Sequence, residues 1–191
     1  MMTGNSLRNT VAGLFVRHGS PVSPIYAAKA GLGVFATMIL LGLLSESVEL
    51  TVLIAPFGAS AVLLFGHPAS PLAQPVNIAG SYLLGVVLTC GHMAWFPGSS
   101  LAAALSLAIL MILMLMLRIT HPPAGAIPLI AVSGEAQSIE MALAVILGAS
   151  VLTALALLRR TVPPRSNPDP GQPELVQPAS AVFDDGVSPN D

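Results

Sequence analysis

The stretch Thr120–Ala126, THPPAGA, decides how this chain is read, because a His, two prolines and a Gly interrupt what is otherwise a lipid-soluble helix. Over the 191 residues, 54% are hydrophobic and only 8% charged, a balance unsuited to a soluble surface. The composition predicts an integral membrane protein. A net charge of -2 supplies no basic field for nucleic acid. Cys90 is the single cysteine, so no disulfide framework or cysteine metal site can be built within one chain, and it reads as a small packing residue.

Four apolar runs read as long enough to cross a hydrocarbon core of roughly 30 Å, which needs ~20 helical residues: Tyr26–Leu44, Ile78–Phe96, Leu101–Leu117 and Ser138–Leu158. None contains proline, which fits helices, since an internal proline removes a hydrogen bond and clashes with the preceding turn. Two shorter apolar pieces, Thr51–Gly66 and His121–Val132, are broken by Pro and Gly. Both contain Pro-x-Gly-Ala, at Pro56–Ala59 and Pro123–Ala126, and each follows one full run and precedes another. The expected fold is all-α and membrane-embedded: four full transmembrane helices, two re-entrant or discontinuous segments, and an internal repeat.

The organisation expected is a cytoplasmic segment over 1–25, a transmembrane domain over 26–158 and a disordered, Pro- and Asp-rich cytoplasmic tail over 159–191. The N-terminal part lacks the pattern of a removable signal peptide. Arg8, Arg17 and Lys29 before the first run, and Arg159, Arg160 and Arg165 after the last, put both termini on the cytoplasmic side of a bacterial-type inner membrane. The number of crossings is then even. Four result if the broken pieces re-enter, six if they cross; the six-crossing arrangement puts Glu46, Glu49 and Glu135 outside and Arg118 inside, and makes the repeats inverted.

Irregular backbone survives at membrane depth only inside protein or beside a wet cavity, so the broken pieces mark candidate binding positions. Pro122 disfavours helical geometry at His121, and free NH groups around Ala124, Gly125 and Ala126 would carry the positive end of a short helix toward an anion. Gly58, Ala59 and Ser60 repeat the arrangement in the first piece, with Ser60 adding a hydroxyl. Arg118 is the only Lys or Arg between Lys29 and Arg159, and its fork of donors suits a planar anion; snorkelling to the interface is the equal alternative. His121 is read as a substrate donor or a helix-end partner, Asn77 as the cap of the helix beginning at Ile78, and Glu140 as a helix-start residue or a partner for Arg118. Met111, Met114 and Met116 are read as packing or lipid-facing. No histidine spacing indicates a metal, and no cofactor is expected.

The stretch Ala55–Asn77, APFGASAVLLFGHPASPLAQPVN, together with THPPAGA resembles the HPP family of small integral membrane proteins, over roughly Lys29 to Leu158. The resemblance implies four transmembrane helices and transport, nitrite transport into plastids being attributed to some plant-type relatives. Ala124 stands where many relatives have Gly, and Val76 where they have a bulkier or basic residue; some relatives carry a further soluble domain. The expected function is a transporter or channel-like protein for a small solute, a monovalent inorganic anion such as nitrite, acting in the lipid bilayer as a homo-oligomer. The alternative is a non-transporting assembly or sensory module, in which small residues such as Ala102–Ala104 and Gly148–Ser150 serve tight helix packing. No nucleophile, base and carboxylate set points to an enzyme.

Overall fold

The computed structural model describes residues 21–48, 55–133 and 138–161, and these are helical apart from short connections. In order they form α1 (Pro24–Val48), α2 (Ala55–Gly66), a 3₁₀ turn (Pro71–Ala73), α3 (Pro75–Trp95), α4 (Ser100–Met116), a 3₁₀ segment (Pro122–Ala126), the single turn α5 (Ile127–Ile130), a second 3₁₀ turn (Ala131–Ser133) and α6 (Ser138–Thr161). Three of them, α1, α3 and α6, are long and apolar enough to cross a membrane, whereas α2 and α4 are shorter apolar helices. The last helix runs three residues past Leu158, where the transmembrane domain was expected to end. Arg159 is still within α6, while residues 1–20 and 162–191, with Glu49 and Glu135, lie outside the described residues.

Local chemistry accounts for the helix boundaries. Pro24 and Pro75 occupy first turns, where a missing NH removes no bond. Ser99 caps α4 by accepting from the Ala102 NH at 3.3 Å. Asn77 does not cap α3: that helix starts at Pro75 behind Gln74, and the Asn77 amide instead donates to the Pro71 carbonyl at 2.8 Å, bracing the preceding turn. At the end of α4, the Ile119 NH reaches back to the Met114 carbonyl at 3.0 Å, with Arg118 at φ 57. This is a Schellman ending, and Arg118 fills the left-handed position that glycine fills most cheaply. Next, Pro122 holds His121 extended, at φ -138 and ψ 94, as its sequence position requires.

Several contacts fix the direction of each segment. The Tyr26 hydroxyl meets the carbonyls of Phe65 and Gly66, so the start of α1 lies beside the end of α2. Arg159 donates to the Leu64 carbonyl at 2.6 Å and lies over the Phe65 ring, which brings the end of α6 to the same place. Ser81, near the start of α3, donates to the Ile119 carbonyl just beyond α4. From there the broken segment runs along α3, with His121 bonded to Leu72 and Ala124 against Gly85. Consecutive segments therefore alternate in direction between a Tyr26 end and a Trp95 end, where Trp95 and Phe96 are exposed as interfacial aromatics commonly are.

The packing follows the same order. The α3–α6 contact is the most extensive, and α2 with the Pro122–Ala126 segment lies against it. Close approach depends on small residues: a Cβ at Gly148 would stand 2.1 Å from Phe57 Cε2, and one at Gly80 would stand 2.8 Å from Ile119 Cδ1. In lipid, association rests on such packing rather than on a hydrophobic difference between inside and outside.

Candidate functional site

From Ala55 onward the first of the two Pro- and Gly-containing pieces is a continuous helix, α2, whose buried face carries Phe57, Ser60, Ala61 and Leu64 at helical spacing. Ser60 is thus a hydroxyl in an apolar stripe. It is fully buried and finds two partners: Tyr82 Oη of α3 at 2.7 Å and His121 Nε2 of the second broken piece at 2.7 Å. On the other side of the imidazole, His121 Nδ1 lies 2.7 Å from the Leu72 carbonyl. Phe57 closes the group edge-on against Tyr82, with ring centroids 5.3 Å apart.

The partners assign the protons. A carbonyl only accepts, so Nδ1 of His121 carries hydrogen. In the neutral ring Nε2 then accepts from Ser60, and the Ser60 oxygen accepts from Tyr82. The chain runs Tyr82 to Ser60 to His121 to Leu72, and every link is made. Such a network sets the orientation of all its members, because a lone buried polar group would cost about 1–3 kcal/mol. Tyr82 is the titratable side chain in contact with His121; α2 contributes a hydroxyl and the 3₁₀ turn at Pro71–Ala73 a carbonyl. Charges lie elsewhere: Lys29, Glu46, Arg118 and Glu140 are exposed, and Arg159 sits at the Tyr26 end.

Of the residues anticipated for substrate binding, the structure brings together Ser60 and His121. Gly58 and Ala59 occupy other faces of α2, Ala59 exposed and Gly58 near Met38, since neighbours on a helix point about 100° apart. Gly125 packs toward Leu107 of α4, and Ala126 is half-buried. The proposed free NH groups are not free at the first position. The Ala124 NH donates to His121 O at 3.1 Å, and the tight 3₁₀ path continues with Ile127 donating to the Ala124 carbonyl. Arg118 is exposed at the end of α4 and does not line the buried pair. Glu140, in the first turn of α6, lies at the opposite end of that helix from Arg159. Met114 is buried while Met111 and Met116 are exposed, and Cys90 packs against the core.

Tyr82 was not anticipated. A tyrosine in the middle of an apolar run does carry a signal, because its hydroxyl must find a partner in hydrocarbon. On its outer side the same residue lines a cleft of about 370 Å³ between α3 and α6, walled mainly by Ala79, Leu83, Ile146 and Leu157. The hydroxyls of Ser150 and Thr153 on that wall are bonded to carbonyls of their own helix, leaving the cleft apolar.

Described residues that are helical apart from short connections, with three helices of membrane length and apolar character and a buried cluster of polar side chains, mark a membrane protein. The family model described as HPP, transmembrane region, matches residues 20–168, and the chain belongs to that family. Two curated transmembrane proteins of Dictyostelium discoideum are similar to it. One is 43% identical over 93 residues, covering 47% of this chain and 33% of the relative; the other is 32% identical over 132 residues, covering 62% and 42%. The chain therefore spans well under half the length of these relatives. No solved structure matches.

Proposed function

We propose that this chain is a transporter or channel-like protein for a small polar solute, a monovalent anion such as nitrite being the expected cargo, with Ser60, Tyr82 and His121 as its binding centre. The observation that supports this best is the meeting of Ser60 and His121, each supplied by a different Pro- and Gly-broken piece, in the interior of the chain. Transporters built from opposed repeats hold their substrate where discontinuous segments meet. The segment directions fit such a plan. Reading α1, α2 and α3 as one unit and α4, the Pro122–Ser133 piece and α6 as the other gives two units whose corresponding members run oppositely. On that reading both broken pieces complete their crossings, making six, and the basic residues Lys29, Arg118 and Arg159 gather at the cytoplasmic end.

Among the described residues no fixed charge stands at the centre, and this shapes the mechanism. In its neutral form the chain from Tyr82 to Leu72 uses every donor internally. Protonation of His121 reverses two links: Nε2 donates to Ser60, Ser60 donates to Tyr82, and the Tyr82 O–H is released toward a solute. A positive charge and a free donor arise together, so an anion entering beside them is neutralised and hydrogen-bonded at once. Anion uptake then increases as the medium is made more acidic.

Vesicles containing the purified chain should take up nitrite faster than protein-free vesicles, and faster at pH 6 than at pH 8. Equal uptake of nitrite, nitrate, formate and chloride would defeat the anion reading, and no uptake of any of them would leave a packing module. With six passes one chain surrounds the centre, so homo-oligomerisation is a separate expectation, checked by mass in mild detergent.

A further inference from the structure

The face of α3 that presents Tyr82 continues past Gly85 to Thr89 and His92. At 100° per residue these positions fall within an arc of about 80°, so they form one line along the helix, roughly 15 Å long. The far part of that line holds an anomaly. Thr89 is 0% exposed and its Oγ1 has no hydrogen-bond partner; His92 is 8% exposed and its Nε2 has none either. The other ring nitrogen, Nδ1, is 3.2 Å from Ser106 Oγ on α4.

The Thr89 hydroxyl has an ordinary way out, which it does not take. Within this same chain Thr37, Ser47, Ser150 and Thr153 each donate to the carbonyl four residues earlier, at 2.7–2.8 Å. The Thr89 hydroxyl makes no such bond to the Gly85 carbonyl. Two unpaired buried polar atoms thus stand one turn apart on one helix face, with the Ser106 hydroxyl alongside. Kept dry, each of these atoms would forgo the hydrogen bond that a buried polar group ordinarily makes.

We infer that Thr89, His92 and Ser106 form a second binding station, occupied by a small hydrogen-bonding species, either a water or an oxygen of the solute in transit. A hydroxyl and a ring nitrogen can each donate or accept, and their spacing of about 4.5 Å along the axis suits one bridging oxygen. Between the two stations lies Gly85, where an added Cβ would stand 3.4 Å from the Ala124 carbonyl and 3.6 Å from Ile127 Cβ and Leu110 Cδ2. The path therefore follows the Tyr82–His92 face of α3, with its constriction at Gly85 formed by the second broken piece. The transport role of the station rests on the function proposed above; its being wet does not.

The test reads water access directly. Thr89→Cys and Val87→Cys are made on a Cys90→Ser background and exposed to 2-aminoethyl methanethiosulfonate, which reacts with thiolates, a form that needs water. Val87 is 59% exposed on the lipid side and serves as the dry control. Thr89→Cys should react at least tenfold faster than Val87→Cys. Slowing of that reaction by added nitrite assigns the occupant as the anion, and no slowing assigns it as water; both uphold the station. Equal, slow reaction at the two positions overturns it. Should the background fail to fold, X-ray hydroxyl-radical footprinting of the unaltered chain reads the same point, with strong oxidation at His92 expected and none above the lipid-facing level overturning the station. Nitrite uptake with a dry Thr89 sinks the path but keeps the transporter; a wet Thr89 without uptake of any anion does the reverse.

Discussion

Ser60 and His121 lie 61 positions apart in sequence and 2.7 Å apart in space, each in one of the two segments that share Pro-x-Gly-Ala. The contact joins the two broken pieces to each other and, through Tyr82, to α3. It gives THPPAGA its structural reason. With α4 already ended at Arg118, Pro122 holds His121 extended, and its ring reaches sideways to Ser60.

Removing Ser60 should be worse than removing Tyr82's hydroxyl. Ser60→Ala leaves both His121 Nε2 and the Tyr82 O–H unpaired and is expected to destabilise by about 2–4 kcal/mol, whereas Tyr82→Phe removes one end of the chain and costs about 1 kcal/mol. Thermal unfolding in detergent orders the two. Nitrite uptake should be lost in both, because both interrupt the reversal of the hydrogen bonds.

Arg118→Gly tests why a cation occupies a left-handed helix end. The backbone there prefers glycine, so the fold should be unharmed or stabilised by up to about 1 kcal/mol. Uptake per correctly oriented molecule should be unchanged, and the fraction inserted the wrong way should rise. Loss of uptake at normal orientation would return the guanidinium to the binding centre.

Gly148→Ala introduces a methyl where Phe57 Cε2 stands 2.1 Å away. The Phe57 ring must shift, and destabilisation of about 1–3 kcal/mol is expected. Phe57→Leu in the same chain should recover most of it. An additive double variant would show that the two residues do not share that space.

The topology is checked by one exposed loop residue. Six crossings place Ala69, between α2 and α3, on the same side as the N-terminus; four crossings with re-entry place it opposite. Labelling of Ala69→Cys by an impermeant thiol reagent in oriented vesicles should match a tag at the N-terminus. Protection from that side would restore the re-entrant arrangement.

The sequence by itself determined the helical runs, the proline-free interiors of the long helices, the extended backbone at His121 and the clustering of charge toward the ends. These follow from local rules, since length, proline and capping act within a few residues. Ser60 and His121 were legible as candidates because they stood in broken pieces. Which polar groups meet was decided only by the tertiary structure. Lipid is as apolar as a protein interior, so the hydrophobic pattern of α3 does not tell its inward face from its outward one, and Tyr82 and Thr89 give no sign of direction. The same ambiguity hid the fate of the Ala124 NH, which a short α-helix would have left free and which the 3₁₀ turn returns to His121. Arg118, conspicuous as the one cation in the central sequence, was carried out to the surface by the ending of α4, a local geometry whose side-chain direction depends on what packs below it.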